Sequence, residues 1–277
     1  MRAIDRIRAA LFIVVSTPLK PGALHRLVAD TMFEVRLAEA AVTARYIGEA
    51  FERGSLLGRG KIDYRRLGLG RLFGDALRDL LDFTGERPIP GLVYSSLIAG
   101  VVAGYSSEAG GRPSEVAKKL SAHAVYGSDP EDAVALVEGL EAIGASDLVW
   151  ALENEGLTKR AIRLQSYTIG DVTERLSARD TGFLFNATGY RLLQAALREA
   201  LASSSMVEAT ARAFYRLGVE TGRIPEMPAG TSLARYLYEL DKKRRDRESN
   251  NPLLGGTLLA VAIASVEKGL PPLAGKS

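Results

Sequence analysis

The chain has 277 residues, of which 47% are hydrophobic and 25% charged, a composition typical of folded globular proteins rather than disordered or fibrous ones. It contains no cysteine, which excludes disulfides and thiolate metal sites and suits a reducing, cytoplasmic compartment. The net charge is only +3, but 27 arginines stand against nine lysines. This excess fits either polyphosphate binding or adaptation to heat in a thermophile, which the scarcity of Asn and Gln also favours.

Apolar residues recur every three to four positions through most of the chain, which predicts an all-α, multi-helix bundle. Breaks rich in Gly, Pro and Ser separate the helical segments, one of them at 54–60. No linker divides the chain, so residues 1–277 are predicted to form a single all-helical domain. The predicted helices are 2–15, 31–53, 63–83, 91–106, 113–124, 130–142, 146–153, 156–177, 188–200, 204–221, 229–247 and 254–267.

Three apolar segments could in principle be a secretion signal or a membrane-spanning helix. The run at 9–15 follows a basic start, but it is short, Asp5 interrupts the basic region, and no small-residue cleavage site follows. Segments 91–106 and 254–267 are almost uncharged, which predicts two buried central helices. The apolar stretch from Pro252 to Val266 falls short of the roughly 20 residues that a membrane span needs. We therefore expect a cytoplasmic protein with no membrane partner.

Two local patterns resemble ligand-binding motifs without meeting their requirements. Gly60-Lys61 lacks the preceding glycine and strand of a phosphate-binding P-loop, and is predicted to be a turn. The basic run 242–245 has Glu239 and Asp241 beside it and no aromatic or basic stripe to extend it. This pattern predicts a solvated helix end and no nucleic-acid partner.

Candidate ligand chemistry concentrates between the first two helices. The segment 16–26 contains two prolines and a glycine, which predict a rigid, non-helical loop. A lysine ammonium, an arginine fork and a histidine ring on such a loop suit phosphate. The predicted phosphate-binding residues are Lys20, Gly22, His25 and Arg26.

Two carboxylates follow at the start of the next helix. Asp30 and Glu34 are four residues apart and share a face, where they can hold a magnesium ion. A structural alternative remains open, because Thr31 and Glu34 have the spacing of a capping box and Asp30 can itself be the N-cap.

The segment 16–34 also carries a family resemblance. Its motif residues are Ser16, Thr17, Lys20, Pro21, Gly22, Arg26, Asp30, Thr31, Phe33 and Glu34. In these positions the chain resembles the triphosphoribosyl-dephospho-CoA synthase family, especially its archaeal members. The resemblance implies an all-helical transferase that moves the triphosphoribosyl group of ATP to the ribose 2′-hydroxyl of 3′-dephospho-CoA, releases adenine and uses Mg²⁺.

The resemblance also implies residue roles and an alternative function. Asp30 and Glu34 would be catalytic, holding magnesium or activating the hydroxyl, and Asn251 would orient a ribose or base. The family's C-terminal Asn-Pro-Gly and Asp pattern is represented by Asn251 and Pro252 alone, and its polar central motif is replaced at 92–96. The alternative is therefore a diverged member that binds a nucleotide or CoA-like ligand without transfer. The sequence leaves the oligomeric state open, a homodimer included.

Overall fold

In the computed structural model, which describes residues 1–27, 30–243 and 251–273, thirteen α-helices and two 3-10 turns account for the regular structure. The described residues form no β-strand, and the predicted all-α class is confirmed. The helices, α1 to α13 in chain order, are Ala3–Ser16, Thr31–Gly58, Leu69–Thr84, Pro90–Ala109, Pro113–His123, Pro130–Ala142, Ser146–Asn154, Lys159–Gln165, Ile169–Ser177, Tyr190–Leu201, Met206–Glu220, Leu233–Lys243 and Leu254–Lys268. The 3-10 turns are Tyr64–Arg66 and Thr181–Phe183.

Helices α4 and α13 have apolar residues on all sides. Every residue of α4 from Pro90 to Gly104 is buried, as is every residue of α13 from Leu254 to Ser265. Buried apolar side chains form a connected cluster that extends from Ile7 to Leu270. The assignment of the chain to one domain stays a prediction. Within the described ranges no helix has the length and apolar character needed to cross a bilayer.

Helices α2 and α4 pack closely and run parallel. Near their starts, Arg36 donates a hydrogen bond from Nη1 to the carbonyl of Arg87, 3.1 Å away. Farther along, Gly54 lies against α4 so closely that a Cβ there would be 2.2 Å from the carbonyl oxygen of Val101. The predicted break at 54–60 was therefore wrong, because α2 continues to Gly58 and Gly54 serves the helix contact instead of a turn.

The segment predicted as one helix over 156–177 forms two. Helix α8 ends at Gln165, and Ser166 adopts a left-handed conformation with φ of 55°. Helix α9 begins after Thr168, whose side chain and backbone exchange hydrogen bonds with Asp171 in a capping box. This reciprocal cap satisfies two backbone N–H groups at once and so favours a new helix start at this position.

Two further predicted helices differ in extent from those observed. The segment predicted over 63–83 begins with a 3-10 turn, and its helix, α3, starts at Leu69. The helix predicted over 229–247 starts later, at Leu233, and is described to Lys243, while residues 244–247 lie outside the described residues. The same holds for the second half of the basic run 242–245.

Candidate functional site

Three helices begin at one end of the bundle. The start of α2 contacts the residues before α4 through Arg36, and α13 begins against α4, where a Cβ on Gly255 would lie 2.5 Å from the carbonyl oxygen of Gly91. Helix α1 runs antiparallel to α2, since Arg8 donates to the carbonyl of Ala44 while Ile4 lies beside Gly48, so α1 ends where α2 begins. We call this end the N-terminal pole: residues 17–27, residues 178–183 and the first turns of α2, α4 and α13. The positive ends of three helix dipoles therefore meet there.

Lys20 lies inside the protein. Its side chain is fully buried, and Nζ donates to the carbonyl oxygens of Val15 at 3.0 Å and Leu24 at 3.3 Å. Burial lowers the pKa of Lys20 to about 7, although the charge of Asp241 opposes that change. The ammonium therefore ties the end of α1 to the following loop, and it does not face solvent in this conformation.

Asp241 joins two other predicted site residues. One carboxylate oxygen accepts from the backbone N–H of Gly22 at 3.2 Å, and the other lies 3.1 Å from Nε2 of His25. The backbone N–H of Leu27 donates to Nδ1 of His25, so we assign the ring proton to Nε2, which donates to Asp241. Asp241 is 8% exposed, so its predicted place at a solvated helix end was wrong.

The sequence gives little indication of this role for Asp241. The carboxylate is 219 residues from Gly22 and sits beside Lys242 and Lys243, like an ordinary surface charge. A weak signal is the position of Asp241 four residues after Leu237, the other buried residue of α12, which places both on one face.

Arg26, Asp30 and Glu34 face solvent. The backbone N–H of Arg26 donates to the carbonyl of Ser16, and its side chain is exposed. Asp30 is the N-cap of α2, with Oδ1 accepting from the backbone N–H of Met32 at 2.8 Å, and Glu34 lies in the first turn. The structural role left open for Asp30 is thus confirmed, while its second carboxylate oxygen and Glu34 retain the chemistry that suits magnesium.

A magnesium ion at Asp30 and Glu34 would depend on additional ligands. Among the described residues no group of three or more His, Cys, Asp or Glu side chains is placed to hold a metal ion. Magnesium in phosphate-binding sites commonly takes one or two carboxylates and completes its shell with water and phosphate oxygens. The exposed pair fits that mode of binding, and the magnesium assignment stays a prediction.

Asn251 begins the last helix from a buried position. It is 3% exposed, and its side-chain oxygen accepts from the backbone N–H of Leu253 at 3.0 Å. The carbonyl of the next residue, Pro252, accepts from both the N–H and the hydroxyl of Thr181. Asn251 therefore belongs to the N-terminal pole, but its oxygen is engaged in shaping the turn into α13.

The residues that replace the family's central motif pack inside the bundle. Tyr94 is fully buried against Phe73 and Phe183, with ring centroids 5.9 and 5.2 Å away. Ser95 donates to the carbonyl of Gly182, and Ser96 to the carbonyl of Leu92. The segment at the start of α4 therefore supplies packing and helix contacts, and its two serine hydroxyls are engaged internally.

Asp180 is a site residue that sequence reasoning missed. Its Oδ1 accepts from the N–H of Gly182 at 2.8 Å, and the N–H of Gly91 at the start of α4 also hydrogen-bonds to this carboxylate. Burial raises the pKa of Asp180 to about 6, while the two N–H groups and the charge of Arg223 oppose the rise. The only local sequence signal is an Asp two residues before a glycine, which is typical of many turns.

The backbone donors at the N-terminal pole are largely engaged by the protein itself. Asp30 caps α2, Asp180 caps α4, and the hydroxyl of Thr181 accepts from the N–H of Gly256 in α13. An anion arriving at this end would therefore find arginine side chains rather than helix N–H groups. No family model, curated protein or solved structure matches this chain, so the geometry and the motif at 16–34 carry the functional argument.

Proposed function

We propose that this protein binds a phosphorylated nucleotide or CoA-like ligand at the N-terminal pole. The observation that carries the proposal is that Arg26, which is tied to the end of α1, and Asp30 and Glu34, at the start of α2, are all exposed. An arginine there offers a planar fork to phosphate, and the two carboxylates offer oxygen ligands to phosphate-bound magnesium. The dipole of α13, whose first turn carries no carboxylate, adds positive potential at the same end.

The inward position of Lys20 and His25 refines this proposal. Nζ of Lys20 donates to the carbonyls of Val15 and Leu24, and Nε2 of His25 donates to Asp241. They would act as positioning residues that fix the backbone of 17–27, while Arg26 would contact the phosphates. Replacing Lys20 would therefore confound ligand binding with folding, and Arg26 is the better residue to vary.

Ligand binding should raise the melting temperature. At 100 times Kd, mass action stabilises the folded state by about 2.7 kcal/mol, which corresponds to roughly 5 °C or more in a protein of this size. We expect Mg-ATP or 3′-dephospho-CoA to produce such a shift in the wild type and a clearly smaller one in Arg26→Ala, as measured by scanning calorimetry. The matched control is Arg160→Ala, which removes an exposed arginine from α8.

The outcomes of this titration separate the alternatives. A shift that persists unchanged in Arg26→Ala would remove Arg26 from the site. If neither ligand shifts the wild-type melting temperature at millimolar concentration, the proposal fails.

A second candidate is the transferase activity itself, favoured by the shared residues at 16–34 and by the exposure of Asp30 and Glu34. Purified protein with Mg-ATP and 3′-dephospho-CoA would then release adenine, measurable by chromatography. Asp30→Ser should abolish that release with little loss of stability, because serine caps a helix about as well as aspartate. Asp30→Ala should lose the activity and, in addition, about 1 kcal/mol of stability.

Adenine release that is unchanged in Asp30→Ser would show that Asp30 is a cap without a catalytic role. Ligand-induced stabilisation without any adenine would instead identify the protein as a binder that lacks this reaction.

A further inference from the structure

The surface groove between α10 and α11 is lined mainly by arginine side chains. The two helices are joined by only four residues, 202–205, and therefore form an antiparallel pair. Their groove measures about 440 Å³, within the range of about 300–1,000 Å³ that is usual for pockets of whole small-molecule ligands. Its lining consists of Arg191, Leu192, Ala195, Arg198, Arg216 and Glu220. None of these residues belongs to the motif at 16–34.

Two arginines of the groove are free to contact a ligand. Arg191 and Arg198 are exposed, and their side chains form no hydrogen bond or salt bridge with any described residue. They are seven residues apart in α10, close to two full turns, so they share a face and their Cα atoms lie roughly 10.5 Å apart. Ala195 lies between them on that face, so both guanidiniums can turn to a group bound over Ala195.

Helix α11 contributes a third arginine across the groove. Glu199 pairs with Arg212 at 3.7 Å, which sets the register of the antiparallel helices and places Arg216 opposite Ala195. Nη2 of Arg216 lies 2.5 Å from Oε1 of Glu220, and the other N–H groups of its fork remain for a ligand. The lining of the groove therefore carries three positive charges and one negative charge.

The other carboxylates of the two helices do not neutralise this excess. Glu199 and Glu208 lie outside the lining, and both pair with Arg212. Leu192 and Ala195 are half-buried and supply apolar surface inside the groove. The groove thus combines an excess of two positive charges with a small apolar surface.

We propose that the groove between α10 and α11 binds a small phosphate monoester. Above its second pKa of about 6 such an ester carries close to two negative charges, which matches the excess charge of the lining. Arginine forks bind phosphate oxygens bidentately, and the apolar surface of Leu192 and Ala195 suits the organic group of the ester. This site goes beyond the function proposed for Arg26, Asp30 and Glu34 and does not depend on it.

Isothermal titration of the full chain with phenyl phosphate at pH 8, at low and high salt, tests the groove. We expect saturable binding that weakens with salt. Affinity should fall by about tenfold in Arg191→Ala and in Arg198→Ala, since each loses a charged hydrogen bond to phosphate. Neither side chain has a partner among the described residues, so both variants should keep the melting temperature of the wild type. The matched control is Arg160→Ala, which removes an exposed arginine from α8.

Two further ligands test the assigned chemistry. Benzoate carries a single charge and inorganic phosphate has no organic group, so each should bind about tenfold more weakly than phenyl phosphate. Equally tight binding of benzoate would show that the groove does not select a phosphate dianion. Equally tight binding of inorganic phosphate would show that the apolar surface plays no part. Either result overturns the assignment of a phosphate monoester.

The variants separate this site from the function proposed above. If phenyl phosphate binding depends on Arg191 and Arg198, the groove proposal stands even where Mg-ATP fails to stabilise the protein. If binding is lost in Arg26→Ala and unchanged in Arg191→Ala and Arg198→Ala, the phosphate lies at the loop and the groove proposal is overturned. The absence of phenyl phosphate binding at millimolar concentration overturns it as well, whatever ATP does to the melting temperature.

Discussion

Gly104→Ala should lower the free energy of unfolding by about 2–3 kcal/mol, although alanine is the better helix former. The added Cβ would lie 2.0 Å from the carbonyl oxygen of Phe51 in α2. That neighbour is backbone in a long helix and cannot rotate away, so α2 and α4 would have to move apart. The loss would be measured by urea unfolding, followed by circular dichroism.

Gly48→Ala, on the facing helix, provides a matched control of opposite sign. A Cβ there would lie 3.4 Å from Nη2 of Arg8 and 3.8 Å from Cδ1 of Ile4, which are ordinary contact distances to side-chain ends. Without a clash, the gain in helix propensity should stabilise the protein by about 0.5–1 kcal/mol. Equal effects of the two substitutions would show that the close contact of α2 with α4 does not limit stability.

The glycines at the contact between α2 and α4 also explain why the end of α2 was predicted too early. Glycine is a turn residue in most local contexts, so the cluster at 54–60 predicts a break. Gly54 and Gly58 are four residues apart and so lie on one face of α2, and Gly100 and Gly104 have the same spacing in α4. Only the pairing of the two helices reveals that these glycines permit close packing. Periodicity predicts each helix, but it does not predict which helix lies opposite.

In the candidate site, too, some features could be predicted from the local sequence and others could not. The rigid loop, its position before α2 and the capping alternative for Asp30 follow from local residue types, and the structure contains them. The burial of Lys20 depends on partners brought together by tertiary packing, as does the network of Asp241 with Gly22 and His25. Asp180 was missed for the same reason, because its carboxylate caps α4, whose first turn lies about 90 residues earlier in the chain.

The stability of the wild type relative to Lys20→Met should rise with pH above neutrality. The pKa of Lys20 is about 7 in the folded protein, against an ordinary value of 10.5. Between those values the unfolded chain binds one proton more than the folded chain, so the free energy of unfolding increases with pH. The slope approaches about 1.4 kcal/mol per pH unit above pH 8, so the rise amounts to about 2 kcal/mol between pH 7 and pH 9.

Urea unfolding of the wild type and of Lys20→Met at pH 6, 7, 8 and 9 measures the difference between their free energies of unfolding. Other titrating groups contribute equally to both proteins and cancel in this difference. It should be flat below about pH 6, where Lys20 is protonated in the folded and unfolded states alike. Lys118→Met, which removes an exposed lysine from α5, serves as the control. In Asp241→Asn the rise should begin at lower pH, because the charge of Asp241 opposes the effect of burial on Lys20. A pH-independent difference between wild type and Lys20→Met would mean that the ammonium is well solvated, and Lys20 would then be available to bind phosphate directly.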